Sequence, residues 1–294
     1  MGRTFCNGNP GTEDLVKNMK ILVTGATGFI GRHVVTRLLA SHHEVVATSL
    51  EESAHLACRY IPANLNEPDV PWFERFERPD AVIHLAWEGL PNYNELFHIE
   101  RNLPASYHFL KNLIESGIKN INVVGTCFEY GLQEGCLSEN LPPKPNTTYG
   151  VAKNTLRLFL EELGKKYEFD LKWIRLFYLY GEGQSKNSIL ELLKTALERG
   201  DKVFNMSGGE QLRDYLPVET AADNIVKISL QNEVQGIINN GSGQPISIRR
   251  MVEDFVKPSG KTIELNLGYH LYTTYEPHAF WADVRKLGRI TGNM

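Results

Sequence analysis

The chain has 294 residues, 42% of them hydrophobic and 22% charged, proportions of an ordinary globular protein that exclude disordered and collagen-like chains. Its net charge of -4 leaves no bulk basic surface for a nucleic acid, and no apolar run approaches the roughly 20 residues of a bilayer span. Four cysteines without CxxC spacing suit a reducing compartment, so a cytoplasmic location is expected, with neither a membrane nor a nucleic acid as partner.

Residues 1–18 read as a polar tail rich in Gly and Asn, an expression remnant or a disordered extension, with Met19 as the natural start. From Lys20 onward, short β-branched runs alternate with helical patterns. KILVTG leads into a helix from Phe29 to Ala40, and EVVATS follows. DAVIHLA precedes a long helix around Glu95 to Glu115, and INVVGT precedes a helix from Thr148 to Tyr167 and an apolar strand from Leu171 to Leu179. This alternation predicts an α/β fold whose parallel sheet is covered by helices on both faces, as continuous apolar runs such as Ala81 to Leu85 require. After Gly181 the pattern loosens into helices at Ser188 to Arg199, Glu219 to Leu230 and Ser247 to Val256, with strands at Lys202 to Met206, Gly236 to Asn239 and Thr262 to Leu267. Residues 19–180 are assigned to a dinucleotide-binding domain. Residues 181–294 are assigned mainly to a smaller C-terminal substrate-binding lobe that returns some elements to the first domain.

The segment ILVTGATGFIGRHVV sets Gly25, Gly28 and Gly31 between the first strand and the first helix. There the first glycine permits a tight bend, the second lets backbone approach a pyrophosphate, and the third allows close helix packing. In a chain with 25 glycines the spacing alone is weak evidence, and its place in the fold carries the reading. Thr27, Phe29, Ile30 and Arg32 fall in the same turn. An NAD site usually has an acid ending the second strand, whereas that strand here ends in Thr48-Ser49, with Glu51 and Glu52 slightly late. Arg32 suits bidentate contact with a 2′-phosphate, so NADPH is favoured over NADH.

Carbonyl reduction needs a proton donor, and a tyrosine serves when a neighbouring cation stabilises its phenolate. Tyr149 and Lys153 lie four apart on one helix face, but so do Tyr107 and Lys111. Context separates them: Tyr107 lies inside the long helix, whereas Tyr149 follows the turn-forming LPPKPNTTYG at a helix start, near the sheet edge where α/β ligands bind. Thr126 ends the preceding strand at that edge, with a hydroxyl able to donate to the same carbonyl. Cys127 has no adjoining histidine and reads as a packing residue. His84 reads as a buried, hydrogen-bonded histidine and His42-His43 as solvent-facing. With no HExxH or Cys/His cluster, no metal is expected.

In that order, TGATGFIG, GTCFEYG, YGVAK, RLFYLYGEGQ and QLRDYLPVE resemble the extended short-chain dehydrogenase/reductases, the nucleotide-sugar epimerase/dehydratase family. The resemblance runs from about Lys20 to the C-terminus. It implies a Rossmann domain, a nicotinamide cofactor, a nucleoside-diphosphate sugar between the domains, and a homodimer through the helices bearing Tyr107 and Tyr149. Thr126, Tyr149 and Lys153 match the catalytic triad, and Arg213 matches the arginine that holds the substrate pyrophosphate. Expected cofactor contacts beyond the glycine turn are Ser49, Asn64 and Leu65, then Leu85, Ala86 and Trp87, and Lys153. On the substrate side stand Trp87, Glu88, Cys127, Phe128 and Tyr178, beside the triad and Arg213.

Two departures narrow the reaction. Sugar 4,6-dehydratases carry Asp-Glu after the catalytic threonine, whereas Cys127-Phe128 stand here and disfavour dehydration. Tyr178 replaces an asparagine that often contacts substrate. HLAWEGLPNY and YEPHAFWAD resemble the 4-ketoreductases of deoxysugar pathways, the group that includes CDP-abequose synthase. The resemblance thus implies NAD(P)H-dependent reduction at C4 of a nucleoside-diphosphate 4-keto-6-deoxyhexose. Its rivals are a 4-epimerase with tightly bound NAD and a non-catalytic nucleotide-binding regulatory protein.

Overall fold

The computed structural model describes residues 18–50 and 56–292; the first 17 residues of the tail expected over 1–18, and the acids Glu51 and Glu52, lie outside the described residues. Strands follow in chain order as β1 (Lys20–Thr24), β2 (Glu44–Thr48), β3 (Arg59–Tyr60), β4 (Ala81–His84), β5 (Asn120–Thr126), β6 (Gly135–Leu137) and β7 (Asp170–Leu176). They continue as β8 (Tyr178–Tyr180), β9 (Val203–Asn205), β10 (Leu212–Pro217), β11 (Gly236–Asn240), β12 (Pro245–Ser247), β13 (Glu264–Asn266) and β14 (Phe280–Ala282). The α-helices are α1 (Gly31–Ala40), α2 (Trp72–Arg75), α3 (Leu103–Glu115), α4 (Thr148–Leu163), α5 (Ile189–Arg199), α6 (Val218–Leu230), α7 (Ile248–Val256) and α8 (Arg285–Thr291).

Seven strands form one parallel sheet in the order β11-β7-β5-β4-β1-β2-β3. The apolar runs follow from burial on two sides. In β1, Ile21 and Val23 point into a core shared with Val34, Val35 and Leu38 of α1 and Ile225 of α6. Leu22 points the other way, toward Phe109 and Leu110 of α3 and Leu156 and Leu160 of α4. Each such side chain contributes roughly 1.5–3 kcal/mol when fully buried. Strand order reverses between β1 and β4, and the crevice at such a reversal, beyond the strands' C-terminal ends, is where open α/β sheets hold ligands. This is the Rossmann-type arrangement of an α/β fold.

The remaining strands form smaller sheets, β12-β10-β8, β13-β9 and β14-β6. The single strand expected over Leu171 to Leu179 is broken at Phe177. Its N–H donates to Asn240 O (3.2 Å) and its ring is buried against Tyr130 and Phe280, so β8 leaves the main sheet and pairs with β10. The long helix expected from Glu95 begins at Leu103 instead, after a wide π-type turn over His98–Asn102. Pro104 in its first turn has no N–H to extend the ladder backward. His43 is buried and accepts the Met19 N–H (3.3 Å), contrary to its expected exposure, whereas His42 is exposed in the left-handed region. β3, β6, β10, β12 and β14 had no expectation. Runs this short, or this polar in the case of β10, become strands only because distant partners supply the pairing.

Candidate active site

The glycine turn leaves no room for side chains. Gly25 adopts φ +66°, and a Cβ there would lie 2.9 Å from Ala86 N. A Cβ on Gly31 would lie 2.1 Å from Gly25 O, so the third glycine is what lets α1 meet the turn closely. Gly28 is less tight, with its Cβ position 3.1 Å from the same oxygen. Two cavities flank this cradle. One, of about 330 Å³, is bordered by Gly25, Thr27 and Gly28, by Ser49 and Leu65, and by Leu85, Ala86 and Trp87. The other, of about 480 Å³, runs from Phe29, Ile30 and Gly31 to Thr126, Tyr149 and Lys153. Gly25, Gly28, Leu85 and Trp87 border both, so a dinucleotide fits along the cradle with one end in each.

Three expected contacts are placed differently. The Arg32 Nε donates to Gly28 O (3.3 Å) and its guanidinium lies against Gly183, so it does not border the cavity that holds Ser49. Asn64 turns on itself, its Oδ1 accepting the Asn66 N–H (3.0 Å), and Asn66 borders the cavity in its place. Glu88 borders the Ser49 cavity and not the one with Tyr149. The Asn102 amide holds its carbonyl (2.9 Å) and Arg101 pairs with its carboxylate (2.7 Å).

Thr126, Tyr149 and Lys153 are brought together. Thr126 closes β5 and caps the short turn after it: its hydroxyl accepts the Phe128 N–H (3.3 Å) while the Glu129 carboxylate accepts the Thr126 N–H (2.9 Å). Glu129 is fully buried and also accepts from Trp173 Nε1 (2.8 Å) and Arg175 Nε (2.8 Å). Tyr149 sits in the first turn of α4, where the Thr147 hydroxyl caps the helix and the Tyr149 N–H donates to Tyr93 O (2.8 Å). One turn on, Lys153 donates from Nζ to Val124 O (2.8 Å). Burial raises the Tyr149 pKa, opposed by a hydrogen bond with Thr126, so the phenol carries its proton at neutral pH. Burial pushes the Lys153 ammonium down to about 7, opposed by the charge of Glu129.

The facing wall is apolar. Phe128 stacks on Tyr93 (4.5 Å between centroids) and packs on Tyr149, and Cys127 is buried with its thiol pKa raised by that burial, which leaves it protonated and unsuited to attack. His84 is buried between Thr24 Oγ1 (2.9 Å) and Ser106 Oγ (3.1 Å). Tyr178 borders the cavity, and its hydroxyl donates to Glu276 (2.5 Å). Arg213 lies behind it, only 2% exposed, with one nitrogen on Leu212 O and His278 O and another on Glu276 (3.0 Å). Tyr93, His98, Glu129 and Glu276 were not anticipated in the site. Thr-Cys-Phe-Glu is a capping-box spacing that marks Glu129. Glu276 carries no local signal, because its partner Arg213 is 63 residues away.

The profile of the NAD dependent epimerase/dehydratase family matches residues 21–241. A dTDP-6-deoxy-L-talose 4-dehydrogenase (NAD(+)) of Aggregatibacter actinomycetemcomitans is 32% identical, the match covering 90% of this chain and 99% of that protein. A GDP-6-deoxy-D-talose 4-dehydrogenase of the same organism is 28% identical over 94% and 92% of the two chains. Among solved structures, UDP-glucuronic acid 4-epimerase from Bacillus cereus, in complex with UDP-glucuronic acid and NAD, superposes with a TM-score of 0.81 at 26% identity, covering 94% of each chain. The chain therefore belongs to the NAD-dependent epimerase/dehydratase family and is an NAD(P)-dependent oxidoreductase of the extended short-chain type.

Proposed function

We propose that this enzyme interconverts a nucleoside-diphosphate 6-deoxyhexose and its 4-keto form, as the sequence reading of a 4-ketoreductase anticipates. The observation that carries the reading is the buried group Thr126, Tyr149 and Lys153 facing Phe128 and Cys127, with no carboxylate from those two positions to drive elimination. Two relatives named as 4-dehydrogenases of 6-deoxytaloses support it, since oxidation at C4 and reduction of the C4 ketone are one equilibrium run in opposite directions. A nicotinamide bound along the glycine cradle supplies or accepts the hydride. Tyr149 delivers its phenolic proton to the sugar O4, and Thr126 orients that oxygen. Lys153 places positive charge beside the phenolate left behind. Phe128 and Tyr93 keep water from the reacting carbon.

NAD(H) is proposed in preference to the NADPH anticipated from Arg32, because that guanidinium lies against Gly183 and the 32% identical relative is named for NAD(+). Arg213 is proposed to meet the substrate diphosphate, its buried Nε having no protein partner among the described residues. A homodimer through α3 and α4 is supported by the exposed Leu158 and Phe159 beside Tyr107. Leu158→Asp should then lower the mass measured by light scattering.

A 4-epimerase is the second reading, supported by the likeness to UDP-glucuronic acid 4-epimerase. The test follows NADH absorbance with dTDP-, GDP-, CDP- and UDP-linked 4-keto-6-deoxyhexoses. Stoichiometric oxidation of NADH supports the oxidoreductase. Epimer interconversion of the 4-hydroxy sugars without net NADH change replaces it with the epimerase, and silence across all four nucleotides sinks both.

A further inference from the structure

Beyond the triad, the wall of the site contains a second linked set of side chains. Trp87 follows β4 and borders both cavities of the cradle. Its indole N–H donates to His98 Nδ1 (3.0 Å). A ring nitrogen that accepts is unprotonated, so the proton of neutral His98 is on Nε2, which donates to Asn92 O (3.0 Å). Both ring nitrogens are thus committed, and burial lowers the His98 pKa and keeps it in this neutral form. The π-type turn over His98–Asn102 holds the same segment twice, since Asn102 Nδ2 donates to Glu88 O (2.9 Å), one residue past the indole. Such turns recur at functional sites.

The consequence is the direction of the indole face. The Lys153 Nζ lies 4.0 Å from the centroid of the Trp87 ring, well inside the range of a cation–π contact. The titratable groups facing Lys153 are Tyr149 one turn earlier on α4, Glu129 beyond the end of β5, His84 on β4, and His98. Burial keeps both histidines neutral at neutral pH, and Glu129, the anion of this set, already shares its charge with Arg175. The indole face meets the ammonium directly, beside the Val124 carbonyl that accepts from Nζ (2.8 Å).

We propose that Trp87, held by neutral His98, is a positioning residue whose ring face keeps the Lys153 ammonium charged and directed at the reacting site. The role assigned to Lys153 rests on the proposed reaction; the contact itself does not.

The test is a pH titration of the ligand-free protein containing lysine labelled with carbon-13 at Cε, followed by NMR, the Lys153 resonance being the one lost in Lys153→Met. Trp87→Leu should lower the Lys153 midpoint by about one pH unit, the size of a desolvated cation–π contact. Trp87→Phe keeps a ring face but loses the indole donor, and should move it less. His98→Leu leaves the indole in place without its acceptor and should fall between the two. A midpoint unmoved or raised in Trp87→Leu overturns the proposal, because bulk that merely excludes water would give that result. Should Trp87→Leu fail to fold, an unmoved midpoint in His98→Leu overturns it equally. With substrate, the alkaline rise of the alcohol-oxidation rate should move to higher pH in the same variants. A wild-type protein inert toward every nucleotide 4-keto sugar removes the reaction reading, while the titration still decides the contact.

Discussion

Two helices of this protein carry a tyrosine four residues before a lysine, and the two pairs have opposite fates. On α3, Tyr107 packs edge-on against Phe159 and Lys111 forms an ion pair with Glu115 (2.5 Å). On α4, Tyr149 and Lys153 are both buried, among Thr126, Phe128, Trp87 and His98. The shared spacing puts each pair on one helix face and does nothing more. What separates them is what that face meets: the Lys111 side chain remains 35% exposed, whereas Lys153 has exchanged water for one carbonyl and an indole.

The sharpest way to break this contrast is to remove each phenol. Tyr149→Phe should lower turnover by about 10²- to 10⁴-fold, the usual value of a positioned proton donor. Tyr107→Phe should leave it within roughly twofold, because its ring packs without touching the cavity. A comparable loss in both would end the distinction.

The support beneath the two lysines differs as strongly. Glu129→Gln leaves Arg175 buried without its counter-charge and should cost about 3–5 kcal/mol in a denaturant titration. Lys111→Gln, breaking a half-exposed helix pair, should cost under about 0.5 kcal/mol. Equal losses would mean that the buried ion pair is relieved by water.

Proton linkage gives opposite signs at the two sites. The Lys153 pKa is about 7 folded and near 10 to 11 unfolded, so across that window the unfolded chain binds more protons and stability rises with pH. The advantage of Lys153→Met over the wild type should therefore be largest below pH 7 and shrink as the pH climbs toward 10. Lys111 is shifted upward by its bond to Glu115, so its contribution runs the other way and fades at high pH. Stability curves of Lys153→Met and the wild type that stay parallel from pH 6 to 10 would rule out a lowered Lys153 pKa.

The smallest effect concerns the far wall. Glu276→Gln removes the carboxylate that holds Arg213 and Tyr178, and should tighten binding of a nucleoside diphosphate up to about fivefold by calorimetry, the scale of one partly exposed charge pair. Weaker binding would show that Glu276 aids the diphosphate instead of competing with it.

Much of this molecule is legible along the chain. The apolar runs of β1, β4 and β5, the glycines at 25, 28 and 31, and the turn that delivers Tyr149 are local patterns with local causes: two-sided burial, absent Cβ atoms and a helix cap. What the chain does not show is the choice of partners: Arg32 lies against Gly183, Glu88 pairs with Arg101 and Arg213 with Glu276, choices among several chemically suitable groups that only folding resolves. The break at Phe177 likewise depends on Asn240, whose strand joins the sheet edge from 63 residues later.

By itself, the sequence determined the Rossmann-type sheet, the dinucleotide turn and the residue types of the triad, because backbone sterics and periodicity act within a few residues. Tertiary structure alone decided how deeply the Tyr149/Lys153 pair is buried, that Glu129 holds Arg175 and Glu276 holds Arg213, and that an indole faces Lys153. Desolvation and charge pairing depend on distance in space, and no spacing along the chain encodes them.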